Sequence, residues 1–143
     1  AALATHTGRL HGRMSDEVER AVEALTPADV AARKLRGEGL PGFGHTLYPK
    51  GDPRAAVLLR MAEAAGRGRW AGLAALVDAA RNCGMEAPSL DVGLTALRMA
   101  FGLPRGAAAA VFAAGRSAGW IAHVAEQREA GVVLRPRARY VGE

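Results

Sequence analysis

The chain has 143 residues, of which 50% are hydrophobic and 23% charged, so it can bury a core as one domain or as a piece of a larger one. No apolar run approaches the roughly 20 residues of a membrane-spanning helix, and no secretory signal is visible, so we expect no membrane partner. The single cysteine, Cys83, cannot form an internal disulfide, which fits a cytoplasmic protein.

The net charge of +5 comes almost entirely from arginine, whose planar guanidinium suits bidentate recognition of carboxylates and phosphates. This pattern favours an anionic ligand. Nucleic acid is the rival, but the arginines are scattered, cluster only over residues 135–139 and have few aromatic side chains between them for base stacking. We therefore expect no nucleic-acid partner. The sequence opens without an initiator Met, as if within a helix, and we expect it to be a fragment.

The sequence predicts the starts of two helices in its first third. Ser15 is predicted to cap a first helix, because two acidic residues follow it in what would be the first turn. The run Thr26-Pro27-Ala28-Asp29 predicts a second start, with Thr at the cap and Pro at the first helical position. This second helix is expected to end at Gly37 or Gly39.

Three more helices and a long final one complete the predicted fold. The third begins at Asp52-Pro53, the fifth is capped by Ser89, and the last runs from about residue 105 to 130. No run alternates convincingly, so the predicted class is all-α. The apolar residues expected to face inward are Val57, Leu58, Met61 and Ala65 in the third helix, Trp70, Leu73, Val77 and Ala80 in the fourth, and Leu90, Leu94, Leu97 and Phe101 in the fifth.

A few polar groups stand out against these helices. His11 and His45 each sit beside glycines in loops, and Asp91 falls in the first turn of the fifth helix. Taken singly, each has a plain structural interpretation: a surface turn histidine, or an acid that complements the helix dipole. Together they would support proton abstraction next to a carbonyl, with guanidinium groups holding carboxylates. The candidate guanidiniums are those of Arg54, Arg116 and Arg135.

The sequence contains no motif for metal binding, nucleotide binding or a serine nucleophile. No two histidines share a helix face, and Cys83 has no second cysteine, so we expect no metal site. No phosphate-binding glycine motif, dinucleotide fingerprint or nucleophile elbow is present either.

Three blocks of the sequence resemble the C-terminal part of the citrate synthase family. They are Gly8-Arg9-Leu10-His11-Gly12, the stretch Gly42–Arg54, and Pro88-Ser89-Leu90-Asp91 running on through Gly115–Gln127 to Leu134–Gly142. The resemblance covers essentially the whole chain in order. It implies an all-α, citrate-synthase-like helical bundle that is mostly the family's small domain.

The resemblance also implies roles for individual residues. Asp91 resembles the base that takes a proton from the acetyl-CoA methyl group, His11 the group that stabilises the enol, and His45 the imidazole that polarises the oxaloacetate carbonyl. Arg54 and Arg116 resemble arginines that bind the dicarboxylate, and Arg135 one that reaches in from a partner subunit. The loop expected to contact CoA consists of Leu47, Tyr48, Pro49, Lys50 and Gly51.

The implied organisation divides the chain into three parts. Residues 1–12 would end a large-domain segment that carries the first catalytic histidine, residues 13–113 would form the small domain, and residues 114–143 would form a large-domain helix and tail. The implied partners are an acyl-CoA, a dicarboxylic 2-oxoacid and a second copy of the chain in a homodimer. No cofactor is expected, because acetyl-CoA is a substrate.

Some positions depart from the family pattern. Arg13-Met14-Ser15 replaces small residues and an asparagine, and Gly93-Leu94 replaces two larger residues. The leading hypothesis is a condensing enzyme that forms citrate and CoA from acetyl-CoA and oxaloacetate or a related 2-oxoacid, although the 143 residues alone are expected to be inactive. Two alternatives stay open: a citryl-CoA lyase, and a non-catalytic protein that binds CoA or dimerises.

Overall fold

The computed structural model describes residues 13–131, and these form a helical bundle. Within this range the β-type pairing is an isolated bridge between Phe43 and Pro88, so the predicted all-α class is confirmed. No helix in the described range is both long and apolar enough to cross a membrane. The helices are α1 (Met14–Ala24), α2 (Pro27–Leu35), α3 (Pro53–Ala64), α4 (Ala71–Asn82), α5 (Leu90–Ala100) and α6 (Ala107–Ala130), with a 3-10 turn at Arg67–Trp70.

Three of the helices begin with the side-chain caps that the sequence predicts. Thr26 and Asp29 form a reciprocal capping box at α2, and Asp52 and Ser89 each accept a hydrogen bond from a backbone N–H of the helix that follows. The prediction for Ser15 is wrong. The first helix already begins at Met14, and Ser15 lies inside it with its hydroxyl directed toward another helix.

Helix α5 is the centre of the bundle. Its buried residues run from Val92 to Ala96, and it packs against α1, α3 and α6. Helices α3 and α5 approach closely at Gly93, where an added Cβ would lie 2.9 Å from Cβ of Leu58 and 3.1 Å from Cα of Ala55. The backbones of α3 and α5 can cross this closely because position 93 has no side chain.

This close crossing explains why the predicted inner face of α3 is partly wrong. Val57 and Met61 are 47% and 48% exposed, whereas Ala55 and Ala62 are buried. The helix therefore turns its small residues toward α5. Phe101, predicted to lie on the apolar stripe of α5, is also exposed, because it is the residue that caps the helix end.

A buried carboxylate fixes the turn between α5 and α6. Glu19 of α1 is only 6% exposed, and its Oε1 lies 2.9 Å from Nε of Arg98. Its Oε2 lies 3.5 Å from Nε of Arg105, and Nη1 of Arg98 donates to the carbonyl of Leu103 at 2.9 Å. Two guanidiniums thus balance one buried charge, and the turn is tied to the side of α1.

Candidate active site

The loop after α2 is held against the start of α5 by a short antiparallel pairing. The N–H of Gly44 donates to the carbonyl of Ala87 at 2.8 Å, and the N–H of Ser89 donates to the carbonyl of Gly42 at 2.8 Å. Gly42 has φ of 79°, and a Cβ there would lie 2.5 Å from Cγ2 of Val18. The sequence therefore needs glycine at this position for both its conformation and its packing.

This pairing brings His45 to the same edge of the bundle as the first turn of α5. The N–H of Leu47 donates to Nδ1 of His45 at 3.1 Å. A backbone N–H can donate only to an unprotonated ring nitrogen, so neutral His45 carries its proton on Nε2. The half-buried imidazole therefore presents Nε2–H as a hydrogen-bond donor.

Tyr48 connects His45 to Arg54. Its ring centroid lies 5.1 Å from that of His45, and Cζ of Arg54 lies 5.0 Å from the centre of the Tyr48 ring. A guanidinium at this distance over an aromatic face is attracted by the ring quadrupole. The sequence predicts Tyr48 only as part of the CoA loop, and its contacts with His45 and Arg54 are seen only in the structure.

Arg54 is held in place by the cap of its own helix. Nε and Nη2 of Arg54 donate to Oδ1 and Oδ2 of Asp52 at 2.9 and 2.8 Å, a bidentate ion pair. These hydrogen bonds hold the pKa of Asp52 below its ordinary value against the effect of burial, and they raise the pKa of Arg54. The side chain of Arg54 remains 46% exposed, so it can still meet a ligand.

Asp52 also reaches the helix that carries Asp91. Its Oδ2 accepts a hydrogen bond from the N–H of Leu90 at 3.0 Å, and its own side chain is 0% exposed. One carboxylate therefore joins the starts of α3 and α5. The Asp-Pro motif predicts the local cap, but nothing in the sequence predicts the contact to a residue 38 positions later.

Asp91 lies in the first turn of α5, as predicted, and its carboxylate contacts α1. The hydroxyl of Ser15 donates to Oδ1 of Asp91 at 2.9 Å, and the N–H of Asp91 donates to Oγ of Ser89 at 3.3 Å. The charge of Asp91 also contributes, after the larger effect of Asp52, to the raised pKa of Arg54. The structure thus gathers His45, Arg54 and Asp91 around the ends of α3 and α5.

The remaining predicted site residues lie on the surface of α6, in the loop before α3, or outside the described residues. Arg116 lies on the exposed surface of α6, with its guanidinium close to where a side chain at Gly119 would be. His11 and Arg135 lie outside the described residues. Of the predicted CoA loop, Leu47, Pro49 and Lys50 are exposed, and Tyr48 and Gly51 are half-buried.

A cavity of about 480 Å³ lies between α3 and α4. It shares Lys50, Gly51 and Asp52 with the loop before α3, and Trp70 belongs to its lining. Its charged residues include both signs. The lining of this cleft includes the Asp52 cap but none of the three residues His45, Arg54 and Asp91. No group of three potential metal ligands occurs among residues 13–131.

Comparison with known proteins places the chain in a family. The family model described as citrate synthase, C-terminal domain, matches residues 1–137. The chain is 35% identical to the citrate synthase of Haloferax volcanii, with 100% of this chain and 41% of that protein covered. It is 39% identical to putative citrate synthase 2 of Mycobacterium bovis, with 99% and 41% covered.

A solved structure agrees with these relatives. The crystal structure of citrate synthase from Thermotoga maritima matches with a TM-score of 0.80 at 28% identity, covering 99% of this chain and 42% of that one. The chain thus spans about two fifths of the length of the proteins it matches. The helical bundle predicted by resemblance is confirmed. The chain belongs to the citrate synthase family.

Proposed function

We propose that the protein condenses acetyl-CoA with oxaloacetate, or with a related 2-oxoacid, to give citrate and free CoA. The observation that carries this proposal is the placement of His45, Arg54 and Asp91 beside the adjoining starts of α3 and α5, through the Gly44–Ala87 pairing, the Tyr48 contacts and the Asp52 link. A donor imidazole, a carboxylate-binding guanidinium and a carboxylate base are the groups that such a condensation needs.

Asp91 is the proposed base. Its carboxylate takes a proton from the methyl group of the thioester, and the resulting enol is stabilised at its oxygen by His11. The enol carbon then attacks the 2-oxo carbon, a new carbon–carbon bond forms, and the carbonyl π electrons move to oxygen. Water finally cleaves the thioester, so that the acyl carbon gains oxygen and CoA leaves as the thiol.

His45 is the proposed electrophilic group. Because its Nδ1 accepts the N–H of Leu47, its Nε2–H is available to donate to the 2-oxo oxygen as negative charge develops there. Arg54 binds a substrate carboxylate with the guanidinium edge that its pairing with Asp52 leaves exposed. The proposal also assigns carboxylate binding to Arg116 and Arg135.

The remaining assignments follow from membership in the family. We propose that the exposed loop Leu47–Gly51 contacts CoA, that the protein works as a homodimer in the cytoplasm as part of the tricarboxylic acid cycle, and that it needs no cofactor. The domain division at residues 12 and 113 stays a prediction. Helix α6 runs without interruption through the second boundary.

The decisive experiment uses the full translation product of the reading frame that encodes this chain. Release of CoA thiol from acetyl-CoA and oxaloacetate is followed with a thiol reagent, for the parent protein and for Asp91→Asn. Loss of a general base should lower kcat by a factor of about 10² to 10⁴. The matched control is Asp16→Asn, since Asp16 is likewise an aspartate in the first turn of a helix, and it should keep the parent kcat.

Three outcomes would contradict the proposal. The parent protein could release no thiol with any 2-oxodicarboxylate while still binding CoA, which would indicate a non-catalytic protein. It could cleave citryl-CoA without net synthesis, which would indicate a lyase. Equal activity of Asp91→Asn and the parent would remove Asp91 from the chemistry.

A further inference from the structure

We propose that Ser15 is a positioning residue that holds the carboxylate of Asp91 in the orientation needed for proton abstraction. This inference rests on the proposed function, because it concerns the residue proposed there as the base. It gives a role to a position at which the chain departs from the family pattern.

The contact joins two helices that are distant in sequence. The hydroxyl of Ser15 in α1 donates to Oδ1 of Asp91 at 2.9 Å, across a separation of 76 residues, and Ser15 is only 3% exposed. The acceptor is a carboxylate of another helix, so this is a charge-assisted hydrogen bond with a buried donor and a half-buried acceptor.

The donor itself is firmly placed. One residue before it, the sulfur of Met14 accepts the N–H of Gly42 at 3.1 Å, which ties the start of α1 to the loop that carries His45. One turn after it, Val18 is 1% exposed within the main core cluster. The first turn of α1 is therefore fixed on both sides of Ser15, and the hydroxyl has little freedom to follow a moving carboxylate.

Asp91 is then held by separate anchors on its backbone and on its side chain. The backbone is fixed by Ser89, which accepts the N–H of Asp91, and by Asp52, which accepts the neighbouring N–H of Leu90. Neither of these contacts fixes the side-chain torsions of Asp91. The Ser15 hydroxyl restrains them by holding Oδ1, which also limits the positions that Oδ2 can take.

A hydroxyl is chemically suited to this task. It donates one proton without carrying charge, so it orients the carboxylate but does not neutralise it as an arginine or lysine would. The cation that acts on Asp91 from α3 is Arg54, whose guanidinium is already engaged by Asp52. Orientation and charge balance at Asp91 therefore come from different residues.

The test compares Ser15→Ala with Ser15→Thr in the full translation product. Hydrogen bonds to charged groups contribute about 1.5–3 kcal/mol, so Ser15→Ala should lower kcat about 10- to 100-fold. The KM values for both substrates should change less than about threefold, because the residue acts only on the reacting geometry. Ser15→Thr keeps the hydroxyl and should restore most of kcat.

An isotope effect separates positioning from general destabilisation. With acetyl-CoA deuterated at the methyl group, Ser15→Ala should show a larger isotope effect on kcat than the parent, because proton abstraction becomes slower relative to other steps. The stability control is Thr26→Ala, which removes the capping box of α2 and leaves Asp91 untouched. It should lower the unfolding midpoint but keep kcat and the isotope effect of the parent.

The possible results are distinguishable. An active parent, together with a Ser15→Ala variant that is folded by circular dichroism and keeps kcat within twofold, would overturn the inference and leave the proposed function standing. A Ser15→Thr variant that is folded and as slow as Ser15→Ala would also overturn it. An inactive parent would overturn the proposed function itself, and the positioning role would fall with it.

Discussion

Replacing Asp52 by asparagine tests whether one buried carboxylate joins the two helices of the site. Oδ1 accepts the N–H and Nε–H of Arg54 at 3.0 and 2.9 Å, and Oδ2 accepts Nη2–H of Arg54 and the N–H of Leu90 at 2.8 and 3.0 Å. An asparagine amide has one oxygen and one NH₂ group. In either orientation, the NH₂ group would face two donors.

The expected loss of unfolding free energy depends on which of those donors can form hydrogen bonds with water instead. The guanidinium of Arg54 is 46% exposed, so its N–H groups can be solvated after the change. The backbone N–H of Arg54 or of Leu90 faces a side chain that is 0% exposed, and it would lose its acceptor. Leaving one such donor unsatisfied and weakening the ion pair should cost about 2–3 kcal/mol of unfolding free energy.

The assay is urea denaturation of the chain, followed by circular dichroism and by tryptophan fluorescence, to which the buried Trp70 and the half-buried Trp120 both contribute. The matched control is Glu17→Gln, which removes the same charge from an exposed pair with Arg20 and should cost less than about 1 kcal/mol. A loss for Asp52→Asn no greater than that of the control would refute the reasoning. The carboxylate would then be a local cap and not a link between α3 and α5.

Two further predictions concern pH and glycine. Because hydrogen bonds from Arg54 lower the pKa of Asp52 in the folded chain, its stabilisation is complete above the unfolded pKa of about 3.9 and is lost as pH falls through the folded pKa. The stability difference between the parent and Asp52→Asn, measured by urea denaturation at each pH, should therefore shrink below about pH 4; a difference constant from pH 6 to pH 3 would contradict this. Gly42→Ala should cost about 1–3 kcal/mol more than Gly37→Ala, because both have positive φ but only position 42 is crowded by Val18 and Val92. Equal thermal midpoints for the two variants would show that this crowding is relieved.

Features set by neighbouring residues were predictable from the sequence. The starts of α2, α3 and α5 follow from Thr26, Asp52 and Ser89, because a cap acts within three residues of itself. The first-turn position of Asp91 was predicted for the same reason. The position of His45 in a glycine-rich loop was also predictable from its neighbours. Its tautomer was not, because that follows from the hydrogen bond donated by Leu47 in the structure.

Features set by contacts between helices were not predictable. Ser15 has the residue type and the acidic neighbours of a cap, yet the helix begins before it and its hydroxyl serves Asp91. Val57 and Met61 have helical spacing and apolar side chains, yet the close crossing at Gly93 selects the alanine face of α3. In both cases the tertiary contact outweighs the local pattern.

The close crossing at Gly93 has a consequence for motion. Two helices packed this closely cannot slide past each other without a clash, because Ala55 and Leu58 of α3 leave no free space against Gly93. Arg54 at the start of α3 and Asp91 at the start of α5 should therefore travel together in any opening or closing movement. We therefore expect a hinge that changes access to the candidate site to lie outside this helix pair, so that the distance between Arg54 and Asp91 changes little.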